Sequence, residues 1–309
     1  MIKMKDTDRI TTGGKSMRVG ALEAGGTKMV CAVVEFDGQG GWKVEDRVSI
    51  PTRMPEETIA DMVEYFRDKK IEALGIACFG PIDLHKNSPT YGYITTTPKA
   101  GWANCDIVGP FARELGIPVG FDTDVNGSLM GEANFGCAKG LENSVYITVG
   151  TGIGAGIMTN GKMLHGMLHP EAGHLTLKRH PEDEAFESNC PFHASCFEGL
   201  ASGPAIQKRW GKKGVELADR PEVWEMEAYY IAQALVAYIM ILSPEKIILG
   251  GGVMHQPQLL PLIREEVKRQ ANSYIRTSQM EDLDNYIVGA SLGDDQGILG
   301  AACLAMEVC

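Results

Sequence analysis

The stretch "RVGALEAGGTKMVCAVVEF" (residues 18–36) decides the fold class of the first part of the chain. Two apolar, strand-like runs enclose the pair Gly25 and Gly26, and this pattern predicts a β-hairpin. The segment "WKVEDRVSI" (42–50) supplies a third strand. A helical pattern follows in "PEETIADMVEYFRDKK" (55–70), acidic in its first turn and basic in its last, before the buried strand "IEALGIACFG" (71–80).

The same order of elements recurs later in the chain. "NSVYITVG" (143–150) and "AGIMTNGK" (155–162) again enclose glycines, and a long helix is predicted at about 222–242. The strand "KIILGGG" (246–252) then ends in a glycine turn. This recurrence predicts an α/β fold with two related lobes and a cleft between them.

The expected organisation follows from this duplication. We expect a flexible tail at 1–17, an N-terminal lobe at 18–121 and a C-terminal lobe at 122–294 that contains a Cys/His loop at 169–196. The apolar end of the chain, 295–309, is expected to form a helix that packs on the first lobe.

Composition excludes several classes of function. The chain has 309 residues, 29 of them basic and 40 acidic, for a formal net charge of −11. This balance argues against nucleic-acid binding and against attraction to anionic lipid. The most apolar run, 228–242, is shorter than the roughly 20 residues that span a bilayer. The start of the chain lacks the apolar segment of a signal peptide and most cysteines stand isolated, so we expect a cytoplasmic protein with reduced thiols.

Three glycine clusters stand where apolar strands end, and each is a candidate phosphate-binding turn. They are Gly25-Gly26-Thr27-Lys28, Gly150-Thr151-Gly152-Ile153-Gly154 and Gly250-Gly251-Gly252. Glycine permits close backbone approach, so that successive amides can converge on an anion. None of the three matches the P-loop or dinucleotide-binding patterns, and each alone is compatible with an ordinary tight turn. Their joint occurrence at equivalent places in both lobes favours a nucleotide.

A pair of carboxylates follows the strand in "GFDTDVNGSLMGE" (120–132). Alternation along a strand would point Asp122 and Asp124 the same way. An N-cap at the next helix is one interpretation of Asp124. The functional interpretation is a base that accepts a hydrogen bond from an attacking hydroxyl.

Seven motifs in a fixed order carry a resemblance to a known family. They are "EAGGTK" (23–28), "FGPIDL" (79–84), "DTDVNGSLMGE" (122–132), "ITVGTGIGAGI" (147–157), "HPEAGH" (169–174), "CPFHASCFEGLASGPAI" (190–206) and "IILGGGV" (247–253). In this combination the chain resembles the ROK-family sugar kinases, and more narrowly their zinc-containing bacterial fructokinase branch. The resemblance implies the actin/hexokinase-like fold, with two ribonuclease-H-like lobes and substrates in the interlobe cleft.

The resemblance also implies roles for individual residues. Asp124 would be the catalytic base, and sugar hydroxyls would be held by Asn104, Asp124, Glu171 and His174. ATP with Mg²⁺ would be bound by the residues Gly25, Gly26, Thr27, Lys28, Thr151, Gly152, Gly154, Gly203, Pro204, Gly250, Gly251 and Gly252. A homodimer is implied as well. The chain departs from the usual family pattern in having Glu23 where Asp is common, and a longer carboxylate would hold magnesium through water.

The Cys/His loop predicts a structural zinc site. Cys190, His193 and Cys196 supply three ligands from a short segment, and zinc takes four nitrogen or sulfur ligands. His174 is the expected fourth ligand and His180 the alternative, whereas His165 and His169 are interpreted as surface or turn residues. Four protein ligands would leave no open position, so the zinc would stiffen the loop that carries Glu171.

The expected activity is ATP-dependent phosphorylation of a hexose, with D-fructose favoured and its 6-hydroxyl as the acceptor. Another ROK hexokinase acting on glucose, mannose or an N-acetylated amino sugar remains an alternative. A sugar-responsive repressor is a further alternative, disfavoured because only 17 residues precede "RVGALEAGG".

Overall fold

The computed structural model describes residues 15–309. Most of the predicted tail, 1–14, lies outside these residues. Lys15 and Ser16 are exposed and have no regular structure, and Met17 already belongs to the first strand. By its contacts the described chain divides into two compact units.

The first unit is built on a five-stranded sheet. Its strands and helices are β1 (Met17–Ala24), β2 (Lys28–Phe36), β3 (Trp42–Pro51), α1 (Pro55–Arg67), β4 (Leu74–Cys78), β5 (Tyr93–Ile94), β6 (Cys105–Asp106), α2 (Gly109–Leu115), β7 (Val119–Thr123) and α3 (Asp124–Phe135). The sheet order is β3-β2-β1-β4-β7. β1 and β2 pair antiparallel from Met17 opposite Phe36 to Ala24 opposite Met29, which confirms the predicted hairpin. β4 pairs parallel with both β1 and β7.

The second unit repeats this arrangement. Its elements are β8 (Ser144–Val149), β9 (Ile153–Thr159), β10 (Lys162–Met163), α4 (Phe197–Ala201), α5 (Gly203–Trp210), α6 (Pro221–Leu242), β11 (Lys246–Gly250), α7 (Leu259–Ala271), α8 (Ser278–Glu281), α9 (Leu283–Tyr286) and β12 (Ile287–Gly289), with 3₁₀ turns at Ala172–His174, Pro181–Asp183, Gly214–Glu216 and Gly252–His255. The sheet order is β10-β9-β8-β11-β12. Two antiparallel pairings are again followed by two parallel ones, as in the first sheet.

The last helix, α10 (Gln296–Met306), packs on the sheet of the first unit. Glycines permit a very close approach there. A Cβ on Gly75 of β4 would lie 1.7 Å from the Ala301 carbonyl oxygen, and one on Gly120 of β7 would lie 2.0 Å from the Leu304 carbonyl oxygen. No other residue type leaves room for the backbone of α10 at these two positions.

The unit boundaries differ from those expected from the sequence. The first unit extends to Gly140 and also includes 164–169 and 291–309, whereas the second comprises 141–163 and 170–290. The expected boundary at residue 122 would have assigned α3 to the second lobe. α3 belongs to the first because its backbone touches that of α10, where a Cβ on Gly300 would lie 1.6 Å from the Gly127 carbonyl oxygen.

Helix α6 is the core helix predicted at about 222–242. Among the described residues it is the one helix that is long and apolar enough to cross a membrane by length and composition alone. Twelve of its 22 residues are buried, and it packs against α4 and α7. This burial within the unit is what the core helix of a folded domain shows.

Candidate active site and metal centre

Asp124 stands at the junction between β7 and α3. The N-cap of α3 is Thr123, whose hydroxyl oxygen accepts the Asn126 amide at 3.1 Å. Asp124 is therefore not required as the cap, and its own carboxylate accepts the Val125 amide at 2.9 Å. Every other residue from Gly120 to Glu132 is buried, and Asp124 alone in this run is only half-buried. The fold thus presents one accessible carboxylate at the end of a buried strand.

Asp122 differs from Asp124 in its surroundings. Strand alternation applies only as far as Thr123, because the chain becomes helical at Asp124. Asp122 is 4% exposed and lies 2.9 Å from Nε2 of His165 through its Oδ2. The two carboxylates therefore do not form a pair at one surface.

The first glycine turn joins β1 to β2 in the first unit. The Gly25 amide donates to the Lys28 carbonyl oxygen at 3.1 Å, and the Thr52 hydroxyl donates to the Gly25 carbonyl at 2.8 Å. A Cβ on Gly25 would lie 2.8 Å from the Lys28 carbonyl oxygen, so this tight turn requires glycine. Gly26, Thr27 and Lys28 follow at its tip, where Thr27 is exposed.

Glu23 lies beside this turn, one residue before the end of β1. Burial raises the pKa of its carboxyl, and Lys28 and Arg47 act in the opposite direction. A Cβ on Gly297 of α10 would lie 2.6 Å from the carboxyl carbon, so the glycine makes room for the acid. A desolvated carboxyl beside a candidate phosphate-binding turn suits a site that receives a cation together with phosphates.

In the second unit the structure brings together three of the predicted nucleotide segments. The turn after β8 closes through the Gly150 amide and the Gly152 carbonyl oxygen at 2.9 Å. The Gly203 amide at the start of α5 donates to the Gly150 carbonyl at 2.8 Å, which sets Gly203 and Pro204 beside this turn. A Cβ on Gly150 would lie 3.8 Å from the Gly252 nitrogen, so the turn after β11 is adjacent as well.

Gly251 shows why this last turn needs glycine. Its φ is +89°, and a Cβ there would lie 2.5 Å from the Val149 carbonyl oxygen and 2.7 Å from the Thr148 hydroxyl oxygen. Thr151 and Gly252 are exposed, so the tips of both turns are open to a ligand. Glycine turns with exposed tips can bind phosphate through their backbone amides.

The four predicted zinc ligands lie together in the second unit. One ligand atom each from His174, Cys190, His193 and Cys196 lie within 4.8 Å of one another. Nδ1 of His174 is 3.9 Å from Sγ of Cys190 and 3.6 Å from Sγ of Cys196, and Nδ1 of His193 is 3.5 Å from Sγ of Cys190. Zinc bonds of 2.0–2.3 Å in a tetrahedron separate the ligand atoms by roughly 3.3–3.8 Å. The donor set therefore fits a zinc ion in chemistry and in size.

A short backbone pairing explains why His174 joins the cysteines. Thr176 and Cys196 form an antiparallel bridge, and the Phe197 amide donates to the Leu175 carbonyl oxygen at 2.9 Å. His180, the alternative ligand, instead accepts the Glu182 amide at Nδ1 and stacks edge-on against Tyr229. Burial raises the pKa of the Cys196 thiol to about 12.

The expected sugar-binding residues belong to different units. Asn104 is exposed in a loop of the first unit, with a left-handed backbone conformation at φ +56°. Glu171 is the N-cap of the 3₁₀ turn Ala172–His174 in the second unit, and His174 is the last residue of that turn. Although Glu171 as a whole residue is exposed, desolvation of its carboxyl, followed by the nearby Glu198 carboxylate, raises the pKa of Glu171 to about 7.

Sequence reasoning missed three residues near these sites. Glu198 accepts the Ile153 amide at 2.9 Å and so holds the turn after β8. Of the two interpretations of His169, as a surface or as a turn residue, the surface one was wrong, because His169 lies in a bend but is only 6% exposed, and its Nε2 accepts the Ile82 amide at 3.1 Å. His165, assigned to the surface, lies against Asp122 with its side chain 42% exposed. No local pattern signals these contacts, since each joins segments that are far apart in the sequence.

Comparison with known proteins places these features in context. The sequence profile of the ROK family matches residues 19–308. A Bacillus subtilis protein that carries a provisional fructokinase name is 52% identical, with 94% of this chain and 95% of that protein covered. The fructokinase of Pediococcus pentosaceus is 47% identical, with 94% and 98% covered. The ROK hexokinase of Thermus thermophilus is similar in structure, with a TM-score of 0.76, 28% identity and coverage of 94% and 98%. The predicted fold class is thereby confirmed.

Proposed function

Because the chain belongs to the ROK family, we propose that it is an ATP-dependent sugar kinase that phosphorylates D-fructose at the 6-hydroxyl. Two relatives that are 52% and 47% identical over nearly their whole length carry fructokinase names. The described residues supply the components that this reaction needs, namely an accessible carboxylate and glycine turns with open tips that can meet phosphate.

Asp124 is the proposed base, and its accessibility is the observation that carries this assignment. It is the one residue between Gly120 and Glu132 that is not buried. Phosphoryl transfer passes through a loose transition state, so the carboxylate mainly orients the sugar hydroxyl and takes its proton late. Asn104, Glu171 and His174 would hold the other hydroxyls; since Nδ1 of His174 faces the thiols, Nε2 is the ring nitrogen left for sugar.

The turns Gly25–Lys28 and Thr151–Gly154 would bind the phosphates of ATP, and Gly203, Pro204 and Gly250–Gly252 would lie near the nucleoside. Magnesium bound with ATP supplies positive charge that offsets the charge on the phosphates. Glu23 would hold that ion through water, which agrees with a desolvated carboxyl next to the first turn.

Zinc at His174, Cys190, His193 and Cys196 is proposed as a structural ion. Two thiolates and two neutral imidazoles balance its charge and occupy all four positions. His174 is three residues from Glu171, so the ion would stiffen the segment that presents this carboxylate to the sugar. The family resemblance also supports a cytoplasmic protein that forms a homodimer, and sedimentation of the purified protein would test the dimer.

An ADP-release assay over a panel of hexoses tests the activity. We expect the highest kcat/KM with fructose, compared with glucose, mannose and N-acetylated amino sugars. Asp124→Asn should lower kcat by about 10²–10⁴-fold, with Asp219→Asn in an exposed loop as the matched control. Turnover that is equal for the two variants would remove the assignment of the base, and preference for another sugar would move the enzyme to a different substrate.

A further inference from the structure

Asp122 holds the two sides of the turn that carries Asp124. Its Oδ1 accepts the Thr123 amide at 2.7 Å and the Asn126 side-chain amide at 2.8 Å. Thr123 and Asn126 are the residues just before and two after Asp124. Both are buried, at 3% and 1% exposure, so these two hydrogen bonds are shielded from water.

The other oxygen of Asp122 is occupied by His165. Oδ2 lies 2.9 Å from Nε2 of the imidazole. A carboxylate only accepts hydrogen bonds, so Nε2 carries the hydrogen in both the neutral and the charged ring. Nδ2 of Asn126, which donates to Oδ1 of Asp122, lies 3.3 Å from the same Nε2.

His165 does not depend on its own side chain alone for its position. It belongs to the segment 164–169, which forms part of the first unit although the residues on both sides of it belong to the second. His169 accepts the Ile82 amide at 3.1 Å, and the Met167 carbonyl oxygen lies 3.0 Å from Nε2 of His85. Met167 and His169 thus attach the segment to the residues after β4, and His165 reaches Asp122.

We propose that His165 is a positioning residue for Asp124. It holds Asp124 in place through Asp122 and the hydrogen bonds that Asp122 accepts from Thr123 and Asn126. The inference rests on the proposed function of Asp124 as the base. Removing the His165 side chain leaves Oδ2 of a buried carboxylate without this donor. The carboxylate then turns towards water, and the turn that carries Asp124 loosens. A displacement of about 1 Å at a reacting group costs up to about 100-fold in rate.

The surroundings of His165 predict a pH signature. The ring borders a cavity of about 300 Å³ that is also lined by Glu307 after α10, Lys86 and His85 after β4, and Tyr91. The hydrogen bond to Asp122 raises the pKa of His165, with burial acting against it and Glu307 adding to it. The charged, stronger form of the contact is therefore complete below the ordinary histidine pKa near 6.5 and is lost as pH rises through the elevated value.

Three variants test the role of His165 in the intact enzyme. His165→Ala should lower kcat on fructose by about 10-fold or more and leave the KM for ATP within about twofold. His165→Gln retains an N–H donor and should recover most of the loss, but it cannot titrate, so the decline of kcat as pH rises above about 6.5 should disappear. His85→Ala removes a neighbouring attachment of the same segment without touching Asp122, and it should behave as wild type.

The inference is overturned if kcat of His165→Ala stays within about twofold of that of His85→Ala. It is also overturned if His165→Gln keeps the wild-type decline of kcat as pH rises. If His165→Ala does not fold, this second result is sufficient to decide the inference. Either result with an active wild-type enzyme leaves the proposed function standing. An absence of turnover by the wild type on every hexose would instead remove the proposed function, and this inference with it.

Discussion

Replacing Gly251 by alanine should damage the nucleotide side of the enzyme in a way that the geometry makes calculable. An L-residue at φ +89° costs about 1–2 kcal/mol of backbone strain. The new Cβ would lie 2.5 Å from the Val149 carbonyl oxygen, and backbone atoms cannot move aside as a flexible side chain can. Overpacking of this kind costs about a further 1–3 kcal/mol. The total of about 2–5 kcal/mol either lowers the free energy of unfolding or is relieved by movement of the end of β8.

That movement would reach the turn Gly150–Gly154, because Val149 is the last residue of β8. We expect the KM for ATP to rise about 10-fold, equivalent to about 1.4 kcal/mol. The melting temperature should fall by about 5 °C or more. ADP release at varied ATP and saturating fructose, with thermal denaturation of the same samples, measures both effects.

Gly161→Ala is the matched control for Gly251→Ala. Gly161 has a similar positive φ of +71° and lies in the same unit, but a Cβ there would have no atom within 4 Å, so alanine introduces backbone strain without a clash. It should lower the melting temperature slightly and leave the KM for ATP unchanged. If the two variants had the same KM and the same melting temperature, the close contact between Gly251 and Val149 would not be what requires glycine.

Two further predictions concern the second unit. The purified chain should contain about one zinc per molecule, as metal analysis will measure. His174→Ala should lose the metal and have a lower melting temperature, whereas His180→Ala should retain the metal. Equal zinc contents in these two variants would contradict the ligand assignment. With the pKa of Glu171 at about 7, its carboxylate form predominates only above that pH, so the KM for fructose should rise as pH falls from about 8 to about 6. Glu171→Gln should have a higher KM with little pH dependence in this range. A wild-type KM that does not change with pH would exclude Glu171 as the titrating acceptor.

Local chemistry made much of this protein predictable from its sequence. The hairpin at Gly25–Gly26 and the helix at 222–242 follow from hydrophobic periodicity and glycine placement, which act over a few residues. The repeated order of elements predicted two related lobes, and the two sheets share the same sequence of antiparallel and parallel pairings. Of the four proposed zinc ligands, Cys190, His193 and Cys196 are separated by only two residues each, so their proximity could also be predicted from the sequence.

What only the tertiary structure decided involves pairs of segments far apart in the chain. His174 rather than His180 meets the cysteines because the backbone at 175–177 pairs with that at 195–197. Helix α3 belongs to the first unit because Gly127 and Gly300 let two helices touch, and the contact between His165 and Asp122 spans 43 residues. Local patterns specify conformation within one element, whereas these contacts depend on which surfaces pack together, and that is set by the free energy of the whole folded chain.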